Sequence, residues 1–227
     1  MSYNIASQQG SARDAVYMQL REQIVSLGLP PGSALSEKET SLQFNVSRTP
    51  VRESFVRLAQ EGLVQVLPQR GTFVALIDPN MVEEARFMRE HLERAVIRLA
   101  CDSFPARLLD SLDRNLREQE HSMDQADFKR MFELDEQFHL TLFEGCGKLH
   151  TWAAMRPLVD HLNRSRLLRL ASDRHWQQLY RQHSELVAAI RARDGDTAEC
   201  IMKEHLTLNI ADLKTLQLKF PHYFVQR

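Results

Sequence analysis

Apolar residues recur at helical spacing from Ala15 to Leu27, with Val16, Leu20, Ile24 and Leu27 on one stripe, and Gly28 with Pro30-Pro31 ends that helix. The stretch LSEKETSLQFNVSRTPVRESFVRLAQEGLVQVLPQRGTFV, residues 35–74, then predicts two short helices, a tight turn between them and a β-hairpin. Ser36 followed by Glu39 is a capping box for the first helix. Ser47 is placed to cap the second, and Pro50 falls in its first turn, where a missing N–H costs little. Val51, Phe55, Leu58 and Ala59 make the inward face of that helix, which leaves Arg48, Thr49 and Arg52 on the outward face at its amino-terminal end. Gly62 stops the helix. LVQVLPQRGTFV follows as two strands with Arg70-Gly71 at the tip. This order of elements is a winged helix-turn-helix, whose second helix enters a DNA major groove.

Ile77-Asp78-Pro79-Asn80 interrupts the pattern and marks a domain boundary. Beyond it the periodicity predicts helices near 81–101, 105–122, 124–144, 148–170, 173–193 and 195–217, with breaks at Pro105, Gly145, Gly147 and Asp194-Gly195-Asp196. Six helices with short connections make an antiparallel bundle. The expected fold is mainly α, an N-terminal winged helix-turn-helix followed by an all-α antiparallel helical bundle. The expected organisation is a disordered tail over 1–11, a DNA-binding domain over 12–77, a helical domain over 80–218 and a C-terminal tail over 219–227.

Charge changes this picture in one respect. The chain of 227 residues has a net charge of −1, and residues 1–77 hold seven Lys and Arg against six Asp and Glu. Only within 47–70, with four Arg against two Glu, is there a local basic excess. A reader this neutral binds DNA weakly without regard to sequence, and gains specificity by pairing on two half-sites. Cys101, Cys146 and Cys200 are odd in number and widely spaced, which suits reduced thiols in a cytosol better than a disulfide framework. No apolar run approaches the roughly 20 residues of a membrane span, and the polar start lacks a signal-peptide plan, so a cytoplasmic location is expected.

All nine histidines lie after the boundary. Asp135 and His139 stand four apart in FELDEQFHLTLFE and share a face near Phe132, Leu142 and Phe143. His183 heads a face with Leu186, Val187 and Ile190, and His205 lies beside Ile201, Leu208 and Asp212. An inward carboxylate and inward imidazoles are costly to bury without a partner, and a divalent metal is one such partner. By spacing alone, an Asp–His pair four apart is more commonly a hydrogen-bonded structural pair, and a single histidine more commonly a satisfied core residue. Arg86 and Arg89, three apart, offer a fork for a carboxylate, or else pair with Glu83, Glu90 or Glu93 on their own helix.

The blocks PPGSALSE, VSRTPVRE, RLAQEGL and QRGTFV resemble the GntR family of bacterial transcription regulators, a likeness that covers residues 13–75 almost without a gap. The resemblance implies that Ser47, Arg48, Thr49 and Arg52 belong to a recognition helix that touches bases and phosphates. It places Arg70 and Gly71 at a wing tip that enters the minor groove, and Lys38 where many relatives carry an arginine in the preceding helix. REHLE at 89–93, FELDEQFH at 132–139, HSELVAAI from His183 and GDTAECIMKEHL through His205 resemble, in order, the helical effector domain called FCD. That likeness implies a metal bound by Asp135, His139, His183 and His205, and a carboxylate-binding arginine at Arg89. The remaining six histidines match nothing in the pattern and are expected to be surface or ordinary structural residues.

The donor set suits Zn²⁺, Ni²⁺ or Mn²⁺ with positions open to oxygen ligands. Arg86, Asn209, one turn beyond His205, and Arg166 are further candidates to face the effector. The function implied is a DNA-binding transcription regulator, expected to be a repressor. It would act as a homodimer on a short palindromic operator and answer to a small organic acid, with sugar acids the expected class. The alternative is a metal-dependent enzyme acting on a small carboxylate, fused to a helix-turn-helix. Against it, no matched residue near the site offers a general base beyond the ligands, so no catalytic residue is assigned.

Overall fold

The computed structural model describes residues 12–172, 176–207 and 213–226, which divide into two compact units, one up to Leu76 and one from Ile77. The expected tail over 1–11 lies outside the described residues.

The first unit runs α1 (Ala12–Val25), β1 (Ala34–Leu35), α2 (Glu37–Gln43), α3 (Arg48–Gln60), β2 (Val64–Leu67) and β3 (Gly71–Val74). Ser36 caps α2, its Oγ accepting from the Glu39 N–H at 3.3 Å. Ser47 stands at the N-cap position of α3 but makes no capping hydrogen bond, contrary to expectation. Pro50 explains it. Pro50 is the third residue of the helix, and so removes one of the two N–H groups an N-cap side chain ordinarily accepts from. Gly62, at φ +72°, ends α3 in the left-handed region, and the Leu63 N–H reaches back to the Leu58 carbonyl at 2.9 Å.

Val16, Leu20, Ile24, Val51, Phe55 and Leu58 interlock with Leu63, Val64 and Val74 as one core. Leu27, expected on the α1 stripe, lies beyond the end of that helix and is only partly buried. Ser54 is buried among the apolar face because its hydroxyl donates within α3, to Pro50 O at 2.7 Å. The hairpin pairs Val64 with Val74 and Leu67 with Gly71. A third strand joins the far edge of β3, Ala34 opposite Phe73, and at two residues β1 is too short to show in a pattern of alternation.

The second unit comprises α4 (Pro79–Asp102), α5 (Ala106–Asp124), α6 (Phe128–Gly145), α7 (Leu149–Ser172), α8 (Trp176–Ala192), α9 (Gly195–Thr207) and α10 (Leu213–Lys219), then a 3-10 turn over Pro221–Tyr223. Asp78 and Asp127 cap α4 and α6 by accepting from Asn80 N–H and Arg130 N–H, both at 2.9 Å. α4 packs chiefly on α7 and α9, and α5 on α6. Val96, Ile97, Leu112, Phe138, Phe143, Val159, Leu186 and Ile190 fill the space between them.

The helix expected over 195–217 is described only as α9 and α10, with 208–212 outside the described residues. The stretch expected to be a C-terminal tail is packed as far as it is described. Phe224 is buried, the Ile77 N–H donates to Tyr223 O at 2.8 Å, and the Val225 N–H donates to Ile77 O at 3.0 Å. Phe220, Tyr223 and Phe224 stand in a run too short, and interrupted by Pro221, to show a period that would betray the packing. No helix among the described residues is long and apolar enough to cross a membrane.

Phe104, in the turn between α4 and α5, lies so close to Gly145 that a Cβ there would stand 2.0 Å from the ring. Gly145→Ala is therefore expected to cost about 1–3 kcal/mol through overpacking. Thermal unfolding followed by helical circular dichroism checks it, and an unchanged melting temperature contradicts the close approach.

Candidate metal centre and candidate nucleic-acid interface

Asp135 and His139 stand one turn apart on α6, with Phe132, Leu142 and Phe143 buried beside them, so the apolar face that packs the helix carries both inward. His183 is brought in by the face of α8 that buries Leu186, Val187 and Ile190, and His205 by the face of α9 that buries Met202. All four side chains are buried, and one ligand atom from each lies within 4.8 Å of the others. The Nε2 atoms converge on the carboxylate: His139 is 3.8 Å from Oδ2, His183 3.6 Å from Oδ1 and His205 4.0 Å from Oδ1. His139 Nε2 and His205 Nε2 are 3.1 Å apart.

Donors about 2.0–2.1 Å from a shared ion in a tetrahedral site lie roughly 3.3 Å from one another, so this spacing is close to that of a coordination shell. Asp135 Oδ1 and His183 Nε2 have no hydrogen-bond partner although fully buried, a condition a cation relieves. Burial holds His183 down to about 3, and burial with the neighbouring His183 and His139 holds His205 well below the ordinary imidazole range. Burial alone would raise Asp135, but the Arg166 guanidinium foremost holds its carboxyl well below the usual range. Neutral imidazoles beside a carboxylate are the protonation states that bind a divalent metal. These residues fit such an ion.

The outer nitrogens of the imidazoles are also held. His183 Nδ1 is 2.9 Å from Gln119 Oε1, and Gln119 in turn donates to Asn115 Oδ1 at 2.6 Å. His205 Nδ1 is 3.2 Å from Gln182 Oε1, and His139 Nδ1 is in contact with a Glu93 oxygen. Neither glutamine carries a signal in the sequence: Gln119 and His183 are 64 residues apart, and only the bundle brings them together.

Of the residues expected to face an effector, Arg86 pairs along its own helix, with Glu83 and Glu90 at 2.6 Å each. That is the self-paired alternative, and the physical reason is local, since both carboxylates lie within one turn. Arg89 is buried and bonded to Glu93 through Nε, while NH1 and NH2 have no hydrogen-bond partner. Their nearest carboxylates are Glu136 at 3.8 Å and Asp135 at 4.0 Å. Arg166 reaches inward from α7 to Asp135, and to Glu136 at 2.6 Å. Asn209 lies outside the described residues. Of the six histidines matching no motif, His161 is buried and His91, His121, His150 and His222 are exposed, whereas His175 lies outside the described residues.

In the first unit Lys38, Ser47, Arg48, Thr49, Arg52, Arg70 and Gly71 are all exposed. Arg52 is not free: Nε and NH2 donate to the two oxygens of Glu37 at 3.0 and 2.9 Å, a bidentate pair across α2 and α3. Arg52 holds the Glu37 carboxyl below its usual range. Glu37 stands next to the capping Ser36 and 15 positions from its partner, so its spacing gives no sign of the pair.

Residues 12–74 match the family model described as bacterial regulatory proteins, gntR family, and residues 84–208 match the FCD domain. The chain is 37% identical over 191 residues to the HTH-type transcriptional repressor RspR of Escherichia coli K12, covering 84% of each protein. It is 36% identical over 214 residues to an uncharacterised HTH-type transcriptional regulator from an unstable DNA locus of Streptomyces ambofaciens, covering 93% of this chain and 89% of that protein. Among solved structures, that of McbR/YncC of Escherichia coli matches with a TM-score of 0.81 at 20% identity, covering 93% of this chain and all of that one, a likeness of fold.

Removing one partner of a buried charge pair leaves the other uncompensated. Arg166→Met is expected to cost about 3–5 kcal/mol in urea unfolding of the chelator-treated protein. A midpoint equal to that of the parent contradicts the assigned pairing with Asp135.

Proposed function

The chain belongs to the gntR family of bacterial regulatory proteins and carries an FCD domain, and from that premise we propose a repressor whose DNA affinity is set by a small organic acid bound beside a metal ion held by Asp135, His139, His183 and His205. Its family makes it a DNA-binding transcription regulator rather than an enzyme. The observation that carries the metal reading is the convergence of four buried donors, two of them without a hydrogen bond. Bound there, a divalent cation such as Zn²⁺, Ni²⁺ or Mn²⁺ supplies open positions for a carboxylate or hydroxyl oxygen.

Charge balance supports an anionic ligand. The carboxylates of Asp135 and Glu93 are matched by the guanidinium groups of Arg89 and Arg166, and Glu136, only partly buried, adds one negative charge. A dication therefore leaves one positive charge in excess, which a monocarboxylate neutralises. Arg89 supports the same reading through two buried guanidinium nitrogens that have no hydrogen-bond acceptor. Its planar fork suits a carboxylate. Sugar acids fit best, because their hydroxyls match a site this polar.

In the reader, Ser47, Arg48, Thr49 and Arg52 would touch the major groove, Arg70 and Gly71 the minor groove and Lys38 a phosphate. The repressor reading rests on the resemblance to RspR. With seven basic against six acidic residues in 1–77, one reader has little electrostatic hold on DNA. A homodimer on a short palindrome supplies what the single reader lacks.

His183→Ala is expected to reduce metal content, measured by plasma mass spectrometry, from about one ion per chain to near none, and to abolish the rise in melting temperature caused by a sugar acid. Survival of that rise without metal removes the ion from the effector site. On DNA selected by the parent protein from a random pool, Arg52→Ala is expected to lose about 1–3 kcal/mol of binding while keeping its metal. Unchanged anisotropy titrations contradict the recognition-helix reading.

A further inference from the structure

Each imidazole of the cluster turns Nε2 toward Asp135 and Nδ1 onto a side-chain oxygen, but the three outer partners differ in kind. His183 and His205 rest on neutral amides, Gln119 and Gln182. His139 rests on a carboxylate, Glu93, whose other oxygen accepts from Nε of Arg89. Glu93 and Arg89 are each 1% exposed, so water supplies neither with an alternative. His139 Nδ1 and Glu93 Oε2 are in contact with each other and have no hydrogen-bond partner elsewhere among the described residues, and Arg89 NH1 and NH2 have no hydrogen-bond acceptor.

We infer that Glu93 is a positioning residue that joins the two halves of the site, orienting His139 for a cation with one oxygen and Arg89 for an anion with the other. The inference rests on the metal reading proposed above and adds to it the means by which cation and carboxylate binding are linked. Accepting from Nδ1–H fixes the His139 tautomer, leaves Nε2 unprotonated toward Asp135 and raises its basicity as a donor. Accepting from Nε of Arg89 orients the planar guanidinium, so that its NH1–NH2 edge is the part left over for a ligand. A carboxylate is required because both of its contacts are donors. An amide at this position has one accepting oxygen and one donating nitrogen, so it satisfies one neighbour and repels the other. The neutral glutamines behind His183 and His205 have no such second duty on an arginine. Because one side chain serves both groups, displacing it for either ligand is felt by the other, and the linkage is reciprocal.

The test uses the full chain, stripped with a chelator and titrated with Co²⁺, whose visible absorption reports its ligands, and then with acetate as the simplest carboxylate. The parent is expected to bind one Co²⁺ per chain and to change its absorption with acetate. Glu93→Gln is expected to weaken Co²⁺ or acetate binding about tenfold or more, with helical circular dichroism unchanged. Glu93→Asp keeps the buried charge balance but is one methylene too short to span both neighbours. It is expected to show the same loss, which keeps the test decisive if the amide variant fails to fold. Either folded variant retaining both affinities within twofold of the parent overturns the role of Glu93, as does a parent that binds Co²⁺ without any response to acetate. A parent that binds no Co²⁺ overturns the metal reading itself, a result separate from the other two.

Discussion

Burying charge sets the terms for the whole second unit. Asp135, Glu93, Arg89 and Arg166 lie in a bundle core with almost no access to water, and a single ion there would cost several kcal/mol. Each has to find its opposite within a few ångströms, and six helices contribute to that end. α4 supplies Arg89 and Glu93, α5 Gln119, α6 Asp135 and His139, α7 Arg166, α8 Gln182 and His183, and α9 His205. The apolar packing of Phe138, Leu186, Ile190 and Met202 holds the helices at the spacing these contacts need. Phe138 stacks on the His183 ring at 4.1 Å, so packing and polar geometry are set by the same contact. What remains unmatched is informative: a carboxylate oxygen, an imidazole nitrogen and one edge of a guanidinium. Those are the groups a cation and an anion would complete.

Much of this was legible along the chain, and the reasons are specific. Asp135 and His139 are legible as sharing one face because four residues make about one helical turn, and His183 and His205 as inward because each lies on an apolar stripe, whereas their membership of one site follows only from the resemblance to the FCD domain. The outer partners were not readable. Gln119 and Gln182 meet their histidines only through the packing of neighbouring helices, and a glutamine in an amphipathic helix looks like any exposed polar residue. Glu93 stood in plain view four residues after Arg89, yet that spacing announces an ion pair and is silent about His139. In the first unit the helix boundaries followed from Gly62 and Ser36. Ser47 stands at the start of α3 as its position implies, but it makes no capping hydrogen bond, and Pro50 removes one of the two donors such a cap would bond.

The reader carries a parallel constraint. Arg52, on the outward face of α3, is tied to Glu37 of α2 by two hydrogen bonds. Exposed ion pairs contribute little stability, so its interest lies in orientation: a guanidinium already held at Nε and NH2 has fewer rotamers to lose on meeting a base or phosphate. It also lowers the net positive charge of the recognition surface, in keeping with the near-neutral count of residues 1–77. On the function proposed above, such a surface would rely on geometry and pairing more than on attraction at a distance, which would give the effector unit its leverage. A ligand that binds two arrangements with different affinity shifts their balance by that difference.

The central claim is that Asp135 and three imidazoles form the inner shell of one metal ion. X-ray absorption at the zinc edge of the Zn²⁺-loaded chain tests it most directly. The account predicts only nitrogen and oxygen neighbours at about 2.0–2.2 Å, with the outer-shell scattering of three imidazole rings. A sulfur neighbour at about 2.3 Å, from Cys101, Cys146 or Cys200, or scattering from fewer than three rings, would contradict it.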